Sequence, residues 1–238
     1  MGRQPRIAGL RVVMSWPADS HVAPAPAPAG RGRMRFASFS GISLIVGGAA
    51  AIGIAVLLQQ HAPSPSASAA GAVGPARVKG PTLSKSPPVS VSIPAIGVDS
   101  RLLHLGLNKD GTLQVPDLKT SADEAAWYKN SVTPGEAGAS VIEGHVDSYQ
   151  GPAVFFRLGA LKPGNEIDVT LADGITAIFR VTGVREYQKD EYPANIVYGA
   201  TDYAALRVIT CGGDFDAVTG HYLSSVVVFA SLVSSSHG

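Results

Sequence analysis

Residues 206–213 read Leu-Arg-Val-Ile-Thr-Cys-Gly-Gly, a β-branched, mostly apolar run that ends in a cysteine and two glycines. Val, Ile and Thr favour strands. Because side chains alternate along a strand, Arg207, Ile209 and Cys211 share one face. The two glycines predict that the strand ends here, and they let another backbone come close. The stretch therefore predicts a strand that carries a thiol to the rim of a sheet rather than into its core.

Further runs with strand character occur on both sides of this stretch. They span residues 89–93, 112–115, 139–143, 166–171, 176–184 and 225–232. Turn residues separate them, in a chain with 27 Gly and 17 Pro. Short helices are expected at residues 122–127, 153–158 and 202–205. Seven or eight short strands separated by turns are typical of an all-β barrel or sandwich, and we expect this domain to occupy residues 89–238.

An uncharged apolar segment precedes the predicted domain. Residues 36–58 are long enough to cross a bilayer core of roughly 30 Å as a helix. Arg31, Arg33 and Arg35 lie just before it, and no Lys or Arg follows until Arg77. The positive-inside rule then predicts a single-pass anchor with a cytoplasmic N-terminus and an extracellular domain. A cleaved signal peptide is the alternative, although the apolar run is longer than a usual signal core.

Two segments of biased composition flank the apolar run. Residues 1–35 include an Ala-Pro alternation and are expected to be cytoplasmic and disordered, and Met34 offers an alternative start. Residues 59–88 are rich in Pro, Ser and Ala. Such a composition buries too little apolar surface to order itself, so we expect a disordered linker that holds the domain away from the membrane.

Charge and cysteine content exclude several classes of function. The net charge is +1 and the basic residues are dispersed, which argues against a nucleic-acid partner. Cys211 is the one cysteine, so an internal disulfide and a multi-cysteine zinc site are excluded. We see no metal cluster or phosphate-binding loop, and we expect no cofactor. A lone thiol in an exported protein is open to oxidation, which favours a chemical role, and an inert buried thiol is the alternative.

His145 has a setting like that of Cys211, because it follows an apolar run and Gly144. A thiol with an ordinary pKa near 8.5 is mostly protonated at neutral pH. A nearby imidazolium favours the thiolate and can protonate a leaving amine, so a Cys–His pair suits acyl transfer. Asp147 could orient the imidazole or lie exposed in a turn. A donor for the oxyanion of the tetrahedral intermediate is the remaining requirement.

The same residues resemble a known family. The tract 208–211, Val-Ile-Thr-Cys, resembles the strand-end signature of sortases, and Gly144-His145 after Val141-Ile142 is similar to their catalytic-histidine strand. The sequences of residues 209–213 and 144–147 are most similar to the class F sortases of actinobacteria. The resemblance extends over about residues 89–233.

The resemblance implies an eight-stranded sortase barrel and a particular chemistry. Cys211 would be the nucleophile that forms a thioester, and His145 would be the general acid that later acts as base. The substrates would be secreted proteins with an LPxTG-type sorting signal, cut between Thr and Gly. The acceptor would be an amine of peptidoglycan or of its lipid-linked precursor.

The chain departs from the sortase pattern in its arginine. Sortases usually carry one at the start of the strand after the cysteine, whereas residues 221–225 read His-Tyr-Leu-Ser-Ser and no arginine follows Cys211. Arg207 is the first candidate for an oxyanion or substrate role, and Arg157 is the second. Thr210 and the amide of Gly212 are other possible donors.

Other functions stay open at this point. A cysteine peptidase that only hydrolyses differs from a transpeptidase in whether water or an amine resolves the thioester. An L,D-transpeptidase usually has Ser-x-Gly-Cys at its nucleophile, which this chain lacks. The non-enzymatic alternative is a surface-displayed β-domain that binds a wall component.

Overall fold

The computed structural model describes residues 61–71 and 80–237, and from Ala62 onward these lie in one compact unit. The expected cytoplasmic segment 1–35 and the expected membrane span 36–58 lie outside the described residues. Within the part of the chain that is described, no helix has the length and apolar character needed to cross a membrane.

The described residues form mainly strands. The strands are β1 (Pro88–Ile93), β2 (Val98–Leu105), β3 (Ala125–Tyr128), β4 (Gly138–Glu143), β5 (Asp147–Ser148), β6 (Gly151–Pro152), β7 (Glu166–Leu171), β8 (Ile175–Gln188), β9 (Ala204–Asp216) and β10 (His221–His237). The helical pieces are the 3-10 helices Ala67–Ala70, Pro94–Ile96, Leu158–Ala160 and Lys189–Glu191 and the single α-helical turn α1 (Ala194–Val197).

Eight of these strands close into a barrel in the order β1-β2-β3-β4-β9-β10-β8-β7. The pairs β2–β3 and β4–β9 are parallel, and the other neighbours are antiparallel. The short strands β5 and β6 pair with each other outside the barrel. The predicted all-β, eight-stranded barrel is therefore confirmed.

The alternation predicted for β9 divides its side chains between two apolar clusters. Leu206 and Val208 belong to a cluster to which all eight barrel strands contribute, and this cluster fills the barrel. Ile209 and Cys211 belong to a second cluster on the opposite face of β4, β9 and β10. The thiol therefore lies on the outer face of the barrel wall.

Two of the expected helices are wrong. Residues 122–127 were expected to be helical, but β3 begins at Ala125 and pairs in parallel with β2, with Leu102 opposite Ala125. Residues 202–205 were also expected to be helical, but β9 begins at Ala204. Alanine favours helices locally, and pairing with a neighbouring strand outweighs that preference. The expected helix at 153–158 is reduced to the 3-10 turn Leu158–Ala160, and the expected strand 112–115 forms only a bridge from Leu113 to Leu107.

Part of the expected linker is ordered. Residues 62–71, here termed the strap, contain a 3-10 helix in which Ala69 is only 1% exposed and packs with the barrel cluster. Arg185 Nη2 on β8 donates a 3.1 Å hydrogen bond to the carbonyl of Gly71. The expectation of disorder is wrong for these ten residues, because contacts with the barrel supply the burial that their own composition lacks.

Candidate active site

The site forms where β4 and β9 run side by side. Their parallel register ends with Glu143 opposite Ile209, and the amide of Gly144 donates to the carbonyl of Ile209 at 3.2 Å. The Thr210 hydroxyl then donates to the carbonyl of Gly144 at 2.8 Å. Continuing the register by two residues brings His145 beside Cys211. The proximity of these two residues, which are far apart in sequence, is thus an inference from the strand register.

Cys211 lies inside β9 and not at its end. The strand continues to Asp216, with Cys211 paired to Ser225 of β10 and a bulge beyond Gly212. The residue is only 5% exposed. The expectation of a strand end with a thiol at an open rim is therefore wrong, because β10 continues to pair with β9 past the cysteine.

A small cavity adjoins the thiol. Its lining includes Cys211, Val146 and Phe156, together with residues Ala62, Pro63 and Ser64 of the strap. A Cβ atom on Gly159 would lie 1.9 Å from the carbonyl oxygen of Pro63, so the strap backbone touches the turn that carries Gly159. The strap thus forms part of the wall that closes the cavity over Cys211.

His145 is buried and held by a backbone carbonyl. Its exposure is 5%, and Nε2 lies 2.7 Å from the carbonyl oxygen of Pro116. A carbonyl only accepts, so Nε2 carries a proton and Nδ1 is the nitrogen that gains or loses one. Burial lowers the pKa of the His145 ring, while the Pro116 carbonyl and the charge of Asp117 oppose that shift.

Close packing requires a glycine at position 144. A Cβ atom there would lie 2.6 Å from Cγ1 of Val154 and 2.7 Å from Cδ2 of Phe155. The amide of Phe155 also donates to the carbonyl of His145 at 2.9 Å. The segment 153–156 therefore packs closely over the C-terminal end of β4 and over the backbone of His145.

Asp147 contacts a tyrosine of β10. Its carboxylate accepts a hydrogen bond from the hydroxyl of Tyr222. Burial raises the pKa of Asp147, and the hydrogen bond from Tyr222 opposes that shift. This contact ties the segment after His145 to the strand after Cys211.

Arg207 shares the face of Cys211, as its parity predicted, and it is buried with an exposure of 3%. Its guanidinium lies 4.7 Å from the centre of the Phe229 ring, and Nη1 donates to the carbonyl of Leu206 at 3.1 Å. Burial lowers the pKa of Arg207, and the neighbouring Tyr203 opposes that shift. These contacts belong to the packing of β9 on β10, and a part for Arg207 in the reaction stays a prediction.

Lys189 is a basic residue of the site that the sequence did not indicate. Its Nζ lies 3.5 Å from Sγ of Cys211. It sits in the polar run 186–191, which carries no signal that distinguishes it from an ordinary surface loop. Pro116 and Tyr222 were missed for the same reason, because a backbone acceptor and a cross-strand hydroxyl are visible only once the chain is folded.

Solved sortase structures are similar to the chain. Sortase A from Listeria monocytogenes shares 16% identity, with a TM-score of 0.48 over 65% of this chain and 92% of that one. Sortase A from Corynebacterium diphtheriae shares 19%, with a TM-score of 0.49 over 63% of each chain. A sortase from Actinomyces oris shares 18%, with a TM-score of 0.46 over 68% of this chain and 88% of that one. No curated protein matches in sequence.

The chain is thus a closed eight-stranded barrel in which Cys211 lies within β9 and His145 follows the end of the neighbouring strand β4. The sortase-domain family model matches residues 91–233, which is more than half of the chain. The chain belongs to the sortase family, and it is accordingly a cysteine transpeptidase. The family implies substrates with a sorting signal and acceptors with an amine.

Proposed function

We propose that this sortase is anchored in the membrane by residues 36–58, faces the cell exterior, and joins proteins with an LPxTG-type signal to a cell-wall amine. The observation that supports this choice of site is the β4–β9 register, which ends with Glu143 opposite Ile209, two residues before His145 and Cys211 respectively. The amino-acid sequence around these two residues favours class F among the sortases. The uncharged run 36–58 and the arginines before it support the anchor and the outward orientation.

The reaction follows from the roles of the two side chains. The Cys211 thiolate attacks the carbonyl carbon of the scissile peptide bond, and a carbon–sulfur bond forms as the carbonyl oxygen becomes an oxyanion. Collapse of this intermediate breaks the carbon–nitrogen bond, and Nδ1 of protonated His145 gives its proton to the leaving amine. The acyl group remains on Cys211 as a thioester.

The second half of the reaction uses His145 in its neutral form. An incoming amine loses a proton to Nδ1 as it attacks the thioester, and the thiolate leaves. The pKa of His145 is lowered by burial, so its imidazolium is a stronger acid than a solvated one and protonates the leaving amine readily. The Pro116 carbonyl keeps the ring oriented in both protonation states.

Mass spectrometry of the full chain tests the assignment. After incubation with an LPxTG-type peptide, we expect an acyl adduct on Cys211 and none on Cys211→Ala. His145→Ala should lower the rate of adduct formation roughly 10³-fold, in the range typical of general acid–base catalysis. His104→Ala is a matched control, because Nε2 of His104 also lies 2.7 Å from a proline carbonyl, that of Pro88, on a different strand.

Two outcomes would contradict the proposal. An active His145→Ala variant would remove the histidine from the mechanism. A wild-type chain that forms no adduct, and whose thiol reacts with a probe no faster than free cysteine, would favour a domain that only binds a wall component. Adding an amine separates the remaining alternative, since a hydrolase gives only the free acid while a transpeptidase gives the amide.

A further inference from the structure

The sulfur of Cys211 has an ammonium group within reach. Lys189 directly follows β8 and begins the 3-10 helix Lys189–Glu191. Strand β10 lies between β8 and β9, so the lysine side chain extends across β10 to place Nζ 3.5 Å from Sγ. The β10 residue paired with Cys211 is Ser225, whose small buried side chain leaves room for this approach.

We propose that Lys189 is a catalytic residue that supplies the positive charge of this active site. An ammonium group beside a thiol favours the thiolate, which is the nucleophilic form. One of its three N–H groups can also donate to the oxyanion, which forms two bonds away from the sulfur, on the carbon that the thiolate attacks. This role rests on the proposed function, because it assumes that Cys211 is the nucleophile.

The proton balance of the reaction is unchanged by the lysine. Nζ keeps its three protons throughout. The electron pair of the carbonyl moves onto oxygen as the carbon–sulfur bond forms, and the ammonium stabilises that charge. When the intermediate collapses, the pair returns and His145 protonates the leaving amine. Lys189 thus contributes electrostatic stabilisation, and proton transfer stays with the histidine.

The neighbouring residues are consistent with this division of roles. Arg207 directs its guanidinium to Phe229 and to the Leu206 carbonyl. Leu223 stands in the tract where the resemblance to sortases expects an arginine, and it is apolar and 47% exposed. Lys189 therefore places a positive charge next to the sulfur, which neither Arg207 nor Leu223 does.

Other titratable groups also face Cys211 and act on its pH dependence. His145 approaches from the end of β4, and Glu186 of β8 lines the same cavity. Tyr192, after the 3-10 helix, and Tyr222 of β10 interact electrostatically with the cysteine. A test of Lys189 must therefore compare variants that leave these four groups in place.

Alkylation of the full chain by iodoacetamide measures the thiolate directly, since Cys211 is the sole cysteine. Lys189→Gln should move the midpoint of the pH–rate profile upward and slow alkylation at pH 7 by about tenfold, the effect of one pKa unit. Acylation by the sorting peptide should fall roughly 10²-fold, as for the loss of an oxyanion donor. Lys189→Arg should retain most of both rates, because it keeps the charge.

Lys109→Gln is the matched control, because it removes the same charge from an exposed loop. If Lys189→Gln reacts like Lys109→Gln in both assays, the proposal is wrong. If circular dichroism shows that Lys189→Gln does not fold, Lys189→Arg and Lys189→Met are compared instead. Equal alkylation profiles for these two variants would also contradict the proposal. Alkylation needs no peptide, so a slowed alkylation with no peptide cleavage would leave the lysine assignment standing and overturn only the proposed substrate.

Discussion

At the scale of single residues, Glu143 is a buried carboxyl group at the end of β4. It precedes Gly144 and His145, its side chain is fully buried, and neither carboxyl oxygen has a hydrogen-bond partner among the described residues. Burial raises the pKa of Glu143 well above its ordinary value. The folded protein therefore holds this group as a neutral acid at a pH where the unfolded chain ionises it.

This difference predicts a pH dependence of stability. The folded state keeps the Glu143 proton while the unfolded state loses it above about pH 4.5, so the free energy of unfolding should fall as pH rises from there to the folded pKa. The slope from this one group approaches ~1.4 kcal/mol per pH unit. Glu143→Gln keeps the shape of the side chain but cannot ionise, so urea titrations at a series of pH values above about 4.5 should show a flatter profile than wild type.

Glu191→Gln, which changes an exposed carboxylate, should keep the wild-type slope. His145 has the opposite effect, because its lowered pKa makes stability fall as pH drops below about 6.5, but wild type and Glu143→Gln share this effect and it cancels when their profiles are compared. Parallel profiles for wild type and Glu143→Gln would show that Glu143 is ionised in the folded protein.

Some residues of the candidate site could be predicted from the sequence, and others could not. Cys211 and His145 could be found because each comes after an apolar run of sequence and lies next to a glycine, and because the cysteine is unique. Their burial could not be foreseen, since it comes from the strap and from the segment 153–156. Lys189 could not be found either, because it approaches Cys211 only once β8 and β9 lie on either side of β10 in the folded barrel.

At the scale of elements, local pattern predicted strands that bury one face and failed where a partner strand decides the structure. The run 166–171 alternates and forms β7, whereas the β-branched run 206–210 forms part of β9 and is buried on both faces. Residues 125–128 read Ala-Ala-Trp-Tyr and show no strand alternation, yet they become β3. Parallel pairing with β2, more than twenty residues earlier in sequence, is a long-range contact that local propensity does not contain.

The end of β4 gives a prediction at this scale. Gly144→Ala places a methyl group 2.6 Å from Val154 and 2.7 Å from Phe155, so either the strand end or the covering segment must move. We expect a loss of about 1–3 kcal/mol in unfolding free energy, as for other overpacked sites. Urea denaturation measures this loss, and slower acylation of Cys211 should accompany it because the His145 carbonyl shares the displaced contact.

A double-mutant cycle identifies the cause. Val154→Ala removes one of the two clashing side chains, so Gly144→Ala should cost less in that background than in wild type. Equal costs in both backgrounds would mean that the clash with Val154 is not what destabilises the variant.

At the scale of the whole molecule, the strap packs against the outside of the barrel beside the cavity of Cys211. One end of it, at Ala62 to Ser64, lines the cavity of Cys211, and the other packs Ala69 against the barrel and accepts a hydrogen bond from Arg185 through Gly71. A substrate that approaches the sulfur from this side must displace the first of these contacts. The strap should therefore limit access to the thiol.

Gly159→Ala tests this shielding. Gly159 does not have a positive φ, so alanine is free of backbone strain there, but its Cβ would lie 1.9 Å from the Pro63 carbonyl oxygen and push the strap away. A clash of about 1–3 kcal/mol should raise the open population by roughly tenfold or more, and alkylation of Cys211 in the full chain should accelerate to match. Ala160→Ser adds one atom at the neighbouring exposed position and should leave the rate unchanged. An unaltered rate in Gly159→Ala would show that reagents reach the sulfur by another route and that the strap does not control its access.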